Sequence, residues 1–270
     1  MSVRALDGAP ADIAEVGGKA RGLAELHALG LPVPPAVVLT TGAHARWRER
    51  GALAEGDVRA LVAAAAPLGE PLAVRSSAVD EDAGDRSAAG QYESVMGVRG
   101  TDALLAAVER CYRAAEGDRA SAYRGGAPAR IALVIQREVR ADRAGVAFSV
   151  DPVSGDPAAV VIECVFGHGE GAVSGTIAPD RYRVARDGGA VRARIADKRA
   201  AADGTGALAP LPPERRAART LRDDEAQAVA GLALSAEAAA GRPVDVEFCL
   251  ERGALWAVQC RPITTLLGDG

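Results

Sequence analysis

Between residues 18 and 30 the apolar positions Leu23, Leu26 and Leu29 recur at helical spacing, and Gly30 stands where a helix stops. Pro32, Pro34 and Pro35 then impose extended chain, leading into a short apolar strand at Val37, Val38 and Leu39. The pattern predicts helices over 41–50, capped by Thr41, and over 55–66, ended by Pro67. Leu72, Ala73 and Val74 form an apolar strand that runs into Arg75, Ser76 and Ser77. Residues 78–91 are small and polar without a period, which predicts a loop. A long helix is expected over 101–124, capped by Thr101 or Asp102.

From Ala129 the pattern changes to that of strands. Segments 131–139 and 145–150 read as strands paired across a turn containing Asp142. Segment 159–165 is a further strand, followed by Gly167-His168-Gly169-Glu170-Gly171. Segments 181–185 and 190–195 flank Asp187-Gly188-Gly189, a strong hairpin signal. Residues 200–213 hold Gly204, Gly206, Pro210, Pro212 and Pro213 and read as a surface linker. Asp223 or Asp224 caps a helix to Ala240, stopped by Gly241 and Pro243, and two strands close the chain. Helices dominate residues 1–125 and strands residues 126–270, so the expected class is α/β with two lobes divided there.

The closing strands carry the sharpest pattern. Residues 244–250 run Val, Asp, Val, Glu, Phe, Cys, Leu, and residues 255–261 run Leu, Trp, Ala, Val, Gln, Cys, Arg. A three-residue loop at Arg252, Gly253 and Ala254 places Glu251 opposite Leu255. Asp245 then faces Arg261, Glu247 faces Gln259 and Cys249 faces Ala257. On the other face Val246 meets Cys260, Phe248 meets Val258 and Leu250 meets Trp256. A slip by one residue would turn the acids into the core. The polar face has two readings. One is a solvated surface with a cross-strand ion pair, worth a few tenths of a kcal/mol. The other is an oxygen-rich site for Mg²⁺, which takes one or two carboxylates and completes its shell with phosphate oxygens and water.

Composition narrows the setting. The chain is 49% hydrophobic with only 3% aromatics, so its core is built from Leu, Val, Ile and Ala. A net charge of −4 argues against a nucleic-acid partner. No apolar run approaches the ~18 residues of a membrane span, and the first residues lack a signal-peptide core. A cytoplasmic protein is expected, with Cys111, Cys164, Cys249 and Cys260 reduced and mostly buried. Lysine is scarce: of 32 cationic residues only Lys19 and Lys198 are lysines. Such positions suggest places where a compact ammonium does what a planar guanidinium does not. Lys19 follows Gly17 and Gly18 at a helix start, where free N–H groups and the helix dipole favour an anion. Arg75 ends an apolar strand beside two hydroxyls, a setting that suits a phosphate.

Taken in order, several stretches resemble one family, the N-terminal nucleotide-binding domain of phosphoenolpyruvate synthase, pyruvate phosphate dikinase and rifampicin phosphotransferase. They are Gly17-Gly18-Lys19-Ala20, residues 31–41 (LPVPPAVVLTT), 73–78 (AVRSSA), 87–91 (SAAGQ) and 145–152 (GVAFSVDP). Residues 167–175 (GHGEGAVSG), 179–182 (PDRY), 241–248 (GRPVDVEF) and 259–264 (QCRPIT) continue the series. The resemblance implies a two-lobed ATP-grasp fold with ATP between the lobes. By it, Lys19 and Arg75 hold ATP phosphates and Ser87, Gly90 and Gln91 belong to a loop closing over them. Gln136 sits beside adenine and Glu170 near the ribose. Glu247 and Gln259 ligate Mg²⁺, and Asp245 and Arg261 complete the phosphoryl-transfer face. Two positions depart from the family: Glu138 replaces a usual Met near adenine, and His168 replaces a usual Leu.

The implied chemistry is Mg-ATP-dependent phosphotransfer. His27, His44 and His168 do not resemble the family's carrier histidine, so this chain is not expected to run the complete dikinase cycle alone. The acceptor is a histidine on a separate carrier protein or a small molecule phosphorylated directly. A third reading, a nucleotide-binding module without chemistry, is opposed by the presence of Lys19, Arg75, Glu247, Gln259 and Arg261 together.

Overall fold

A computed structural model describes residues 2–79, 93–117, 129–169, 175–204 and 207–263. The chain forms two compact units, Met1–Gly30 with Pro34–Glu138, and Leu31–Val33 with Val139–Gly270. Both are mixed α/β, helices prominent in the first and strands in the second.

The first unit is built on a five-stranded antiparallel sheet. Its strands are β1 (Val3–Ala5), β2 (Ala36–Leu39), β3 (Leu72–Ala78), β4 (Ser94–Val98) and β5 (Ile131–Arg137), in the order β1-β2-β5-β3-β4. The helices are α1 (Ile13–Ala28), α2 (Thr41–Arg50), α3 (Glu55–Ala65) and α4 (Gly100–Glu116). β5 is central and apolar from Ile131 to Ile135, and every residue from Ile131 to Gln136 is buried. That explains its lack of alternation, since both faces of this sheet are covered. Leu39, Leu61, Val74, Val108, Leu133 and Ile135 lie in one core cluster.

The second unit holds a six-stranded antiparallel sheet. Its strands are β6 (Arg143–Phe148), β7 (Ala159–Phe166), β8 (Asp180–Ala185), β9 (Val191–Arg194), β12 (Val244–Glu251) and β13 (Ala254–Pro262). Their order is β13-β12-β6-β7-β8-β9. Between β9 and β12 lie a short pair, β10 (Ala200–Ala202) with β11 (Leu208–Pro210), then α5 (Pro213–Arg216) and α6 (Asp223–Ala240). Val244, Val246, Phe248 and Leu250 are buried while the residues between them are half-buried, the alternation of a sheet covered on one face. α6 packs on this sheet through Ala226, Val229, Leu232, Ala233 and Ala236, and Gly241 stops it in the left-handed conformation.

Four expectations need correction. Segments 131–139 and 145–150 do not pair. β5 lies between β2 and β3 in one sheet and β6 lies between β12 and β7 in the other, so the first unit extends through Glu138 rather than ending near residue 125. The linker over 200–213 contains the β10–β11 pair and the start of α5. α1 begins at Ile13, with Asp12 accepting from the Ala14 N–H, and kinks at Gly17. The closing hairpin turns through two residues, Arg252 and Gly253, both with positive φ (50° and 83°), and pairs Glu251 with Ala254. Such a turn matches the strand twist. A bulge at Glu247/Phe248 then shifts the register, so Phe248 pairs with Ala257, Cys249 with Trp256 and Leu250 with Leu255.

Candidate functional site

In the first unit the kink at Gly17 creates a second helix start inside α1. A Cβ at Gly17 would lie 2.1 Å from the Ser77 carbonyl oxygen, and its φ of 76° also favours glycine. That contact brings the end of β3 against the new helix start. The Ser77 hydroxyl donates to the Val16 carbonyl at 2.8 Å and accepts from the Ala20 N–H at 3.0 Å. Ser77 thus acts as a cap supplied from a distant strand. Lys19, on the first turn past the kink, is buried, and its ammonium donates to the Ser76 carbonyl at 2.6 Å. Arg75 precedes Ser76 on β3, half-buried, opposite Val134 on β5 and Ser94 on β4. β3 therefore carries Arg75 at its middle, rather than at its end as the sequence suggests, and beyond it holds Lys19 and caps the helix behind. The motif had marked Arg75 and Lys19. The part played by Ser77 was signalled only by the unusual Gly17-Gly18 pair and the doubled serine.

Gln136 is buried in the same sheet, and its amide donates to the Pro34 carbonyl at 3.2 Å. Glu138 is also buried, and its carboxylate accepts the Gly97 N–H at 2.5 Å. The departure at Glu138 therefore has a local cause: it anchors the Gly97 backbone within β4. Ser87, Gly90, Gln91 and Glu170 lie outside the described residues.

In the second unit the bulge spares the polar half of the hairpin. Asp245 pairs with Arg261, Glu247 with Gln259 and Val246 with Cys260. The side chains of such directly opposed pairs share a face. Arg261 reaches Asp245 Oδ1 with Nε at 3.2 Å and Glu247 Oε1 with Nη2 at 3.3 Å. The two carboxylates keep side-chain exposures of 17% and 20%, whereas Gln259 is buried. Across β12, Asp245 is opposite Phe148 and Glu247 opposite Val146. The acids are thus bounded by apolar side chains on one flank and by the amide and guanidinium on the other. Among the described residues no three His, Cys, Asp or Glu side chains gather into a metal-binding group. The oxygen donors here are two carboxylates and an amide, the sparse set that suits Mg²⁺ when phosphate oxygens and water complete its shell.

The thiols do not join this chemistry. None of the four cysteines is in a disulfide; burial pushes Cys111 and Cys164 each up to about 12, which keeps both as thiols. Among the described residues no helix is long and apolar enough to cross a membrane.

Comparison with known proteins gives a family. The family described as pyruvate phosphate dikinase, AMP/ATP-binding domain, matches residues 56–268. The chain is 37% identical over 280 residues to the prodigiosin synthesizing transferase PigC of Serratia marcescens, covering 93% of this chain and 32% of that protein. It is 32% identical over 311 residues to a probable phosphoenolpyruvate synthase of Methanocaldococcus jannaschii, covering 94% and 26%. It is 37% identical over 303 residues to a rifampicin phosphotransferase of a Streptomyces species, covering 95% and 35%. The chain thus spans roughly a quarter to a third of the length of these relatives.

Proposed function

Because the chain belongs to the family of the pyruvate phosphate dikinase AMP/ATP-binding domain, we propose that it is the ATP-using part of a phosphotransferase. In this reading it has an ATP-grasp fold, binds Mg-ATP and passes phosphoryl groups to a histidine on a separate carrier domain or protein. The observation that carries the reading is the cross-strand set Asp245–Arg261 and Glu247–Gln259, held in register on a half-open sheet face. Its support is twofold: the family match includes these residues, and the alternating pattern places them together without reference to any relative.

The residues divide the work as phosphoryl transfer requires, by positioning and charge neutralisation. The Lys19 ammonium, fixed by the Ser76 carbonyl, and the Arg75 guanidinium hold phosphate oxygens of ATP. Gln136, the turn at Gly167–Gly169, and Ser87, Gly90, Gln91 and Glu170 each contact the nucleotide. Glu247 and Gln259 hold Mg²⁺, which supplies charge neutralisation on the phosphate oxygens when bound. Arg261, oriented by Asp245, offers its guanidinium charge to the transferred group. A carrier histidine nitrogen attacks the β-phosphorus, the bond between the α,β-bridging oxygen and that phosphorus breaks, and AMP leaves with its electron pair. The pyrophosphorylated carrier then loses its terminal phosphate to water, leaving phosphohistidine and inorganic phosphate.

The test is the nucleotide product. Incubation with Mg-ATP and a histidine carrier domain of a relative should yield AMP and phosphate with label on the carrier. Formation of ADP with a small acceptor would replace this reading by direct kinase chemistry. Tight nucleotide binding without turnover on any acceptor would replace it by a binding module.

A further inference from the structure

Lys198 is the lysine that the proposed transfer leaves unused, and it is fully buried. Its ammonium donates to Asp180 Oδ1 at 2.5 Å and to the Ala196 carbonyl at 3.1 Å, and it lies 5.7 Å from the centre of the Phe166 ring. An ammonium has three donors, and these neighbours match that number. Asp180 is equally filled. Oδ1 also accepts the Ala196 N–H at 2.9 Å, and Oδ2 accepts the Thr220 N–H at 2.8 Å and the Thr220 hydroxyl at 2.9 Å. A guanidinium, planar and with five donors, does not fit so closed a pocket. The scarcity of lysine has its explanation at this position.

The pair grips one turn from two sides. Lys198 leads through Arg199 into β10, and the Ala202 carbonyl at the end of β10 accepts the His168 N–H at 2.9 Å. Gly167 presses so closely on β10 that a Cβ there would lie 2.2 Å from the same carbonyl oxygen. Phe166, which the ammonium approaches, is the residue before Gly167. β10 is a three-residue strand paired with β11 of the same length, and backbone bonds from Lys198 to Arg216 and from Leu211 to Arg199 hold its start, so the Lys198 anchor and the bridge to Gly167 and His168 lie at its two ends.

We infer that Lys198, through Asp180 and β10, is a positioning residue for nucleotide binding: it sets the place of the Gly167–His168 turn against which the nucleotide lies. The inference rests on the nucleotide reading above. Lys198→Met keeps the volume of the side chain and removes the charge. Titration calorimetry with Mg-ATP, at a temperature where circular dichroism reports the folded protein, should give a Kd raised about fivefold or more, the worth of roughly one hydrogen bond. Hydrogen exchange at the His168 amide should accelerate in the same variant, and Lys198→Arg should not restore binding. Gly167→Ala attacks the link from its other end and should raise the Kd similarly. A folded Lys198→Met protein that binds Mg-ATP within about twofold of wild type overturns the inference. If Lys198→Met does not fold, Gly167→Ala decides, and unchanged affinity there overturns it. A wild-type chain that takes no Mg-ATP removes the nucleotide reading itself, and this inference with it.

Discussion

Two clusters in the strand-rich unit combine the same charges and do different things. At Asp180 and Lys198 both side chains are wholly inaccessible, and every carboxylate oxygen is filled by the protein. At Asp245, Glu247, Gln259 and Arg261 the contacts are longer, the carboxylates are 17% and 20% exposed, and the guanidinium is 31% exposed. A saturated, dry ion pair is a fixture, because breaking it strands a charge in low dielectric. A half-open set that solvent reaches can exchange protein contacts for metal, water and phosphate. Residue type does not separate the two; saturation and access do. The lysine scarcity teaches the same lesson. It marked two buried ammoniums, one bonded to a strand-end carbonyl and one to a carboxylate.

The strongest way to break this contrast is at the buried pair. Lys198→Met should lower stability by about 3–5 kcal/mol, read from denaturant melts, because Asp180 loses its counter-charge. A loss below about 1 kcal/mol would mean that the pair is not a fixture. Next comes the open set. Glu247→Gln should cut phosphoryl transfer by about a hundredfold or more while the melting temperature stays within about 3 °C. Global unfolding of that variant would make Glu247 structural after all.

A smaller effect is expected at acid pH. Glu225 accepts both ends of the Arg143 guanidinium, at 2.6 and 2.9 Å. Burial pushes its carboxyl up, but Arg143, the Arg222 N–H and the Arg222 charge outweigh that and hold it below the usual carboxylate range. A group lowered on folding stabilises above its unfolded pKa of about 4.3, and that stabilisation is lost as pH falls through the folded value. Glu225→Gln should therefore cost about 1.5–3 kcal/mol near neutrality and flatten the acid limb of the melting profile. The smallest effect is at Lys19→Arg. The planar head should misplace a phosphate contact and raise KM for ATP about tenfold, with the melting temperature unchanged. Unaltered kinetics would leave Lys19 no more than a buried cation.

Much of the fold could be read from local pattern. The spans of α2, α3 and α6 and the β8–β9 hairpin follow from periodicity and turn glycines, although the N-caps of α2 and α6 are Thr40 and Arg222 rather than the expected Thr41 and Asp223 or Asp224. The polar half of the closing hairpin was legible because alternation allows Asp245 and Glu247 only one face. Its turn half was not, because a two-residue turn followed by a bulge displaces every partner from Phe248 onward. β5 and β6 were legible as strands, but their sequence separation suggested a pairing that the sheets do not make. The grip of Ser77 on the start of the α1 helix past Gly17 left no trace beyond the paired glycines and the doubled serine, since it joins residues about 60 apart and depends on a backbone approach only glycine allows.

By itself the sequence determined which residue types alternate, where helices must stop, and which few positions keep a lysine or a paired acid, because these are local matters of sterics and hydropathy. Only the tertiary structure decided which strand pairs with which, that Lys198 is sealed against Asp180, and that Glu247 remains open. Burial and hydrogen-bond saturation are properties of neighbours brought from far along the chain, and no local pattern carries them.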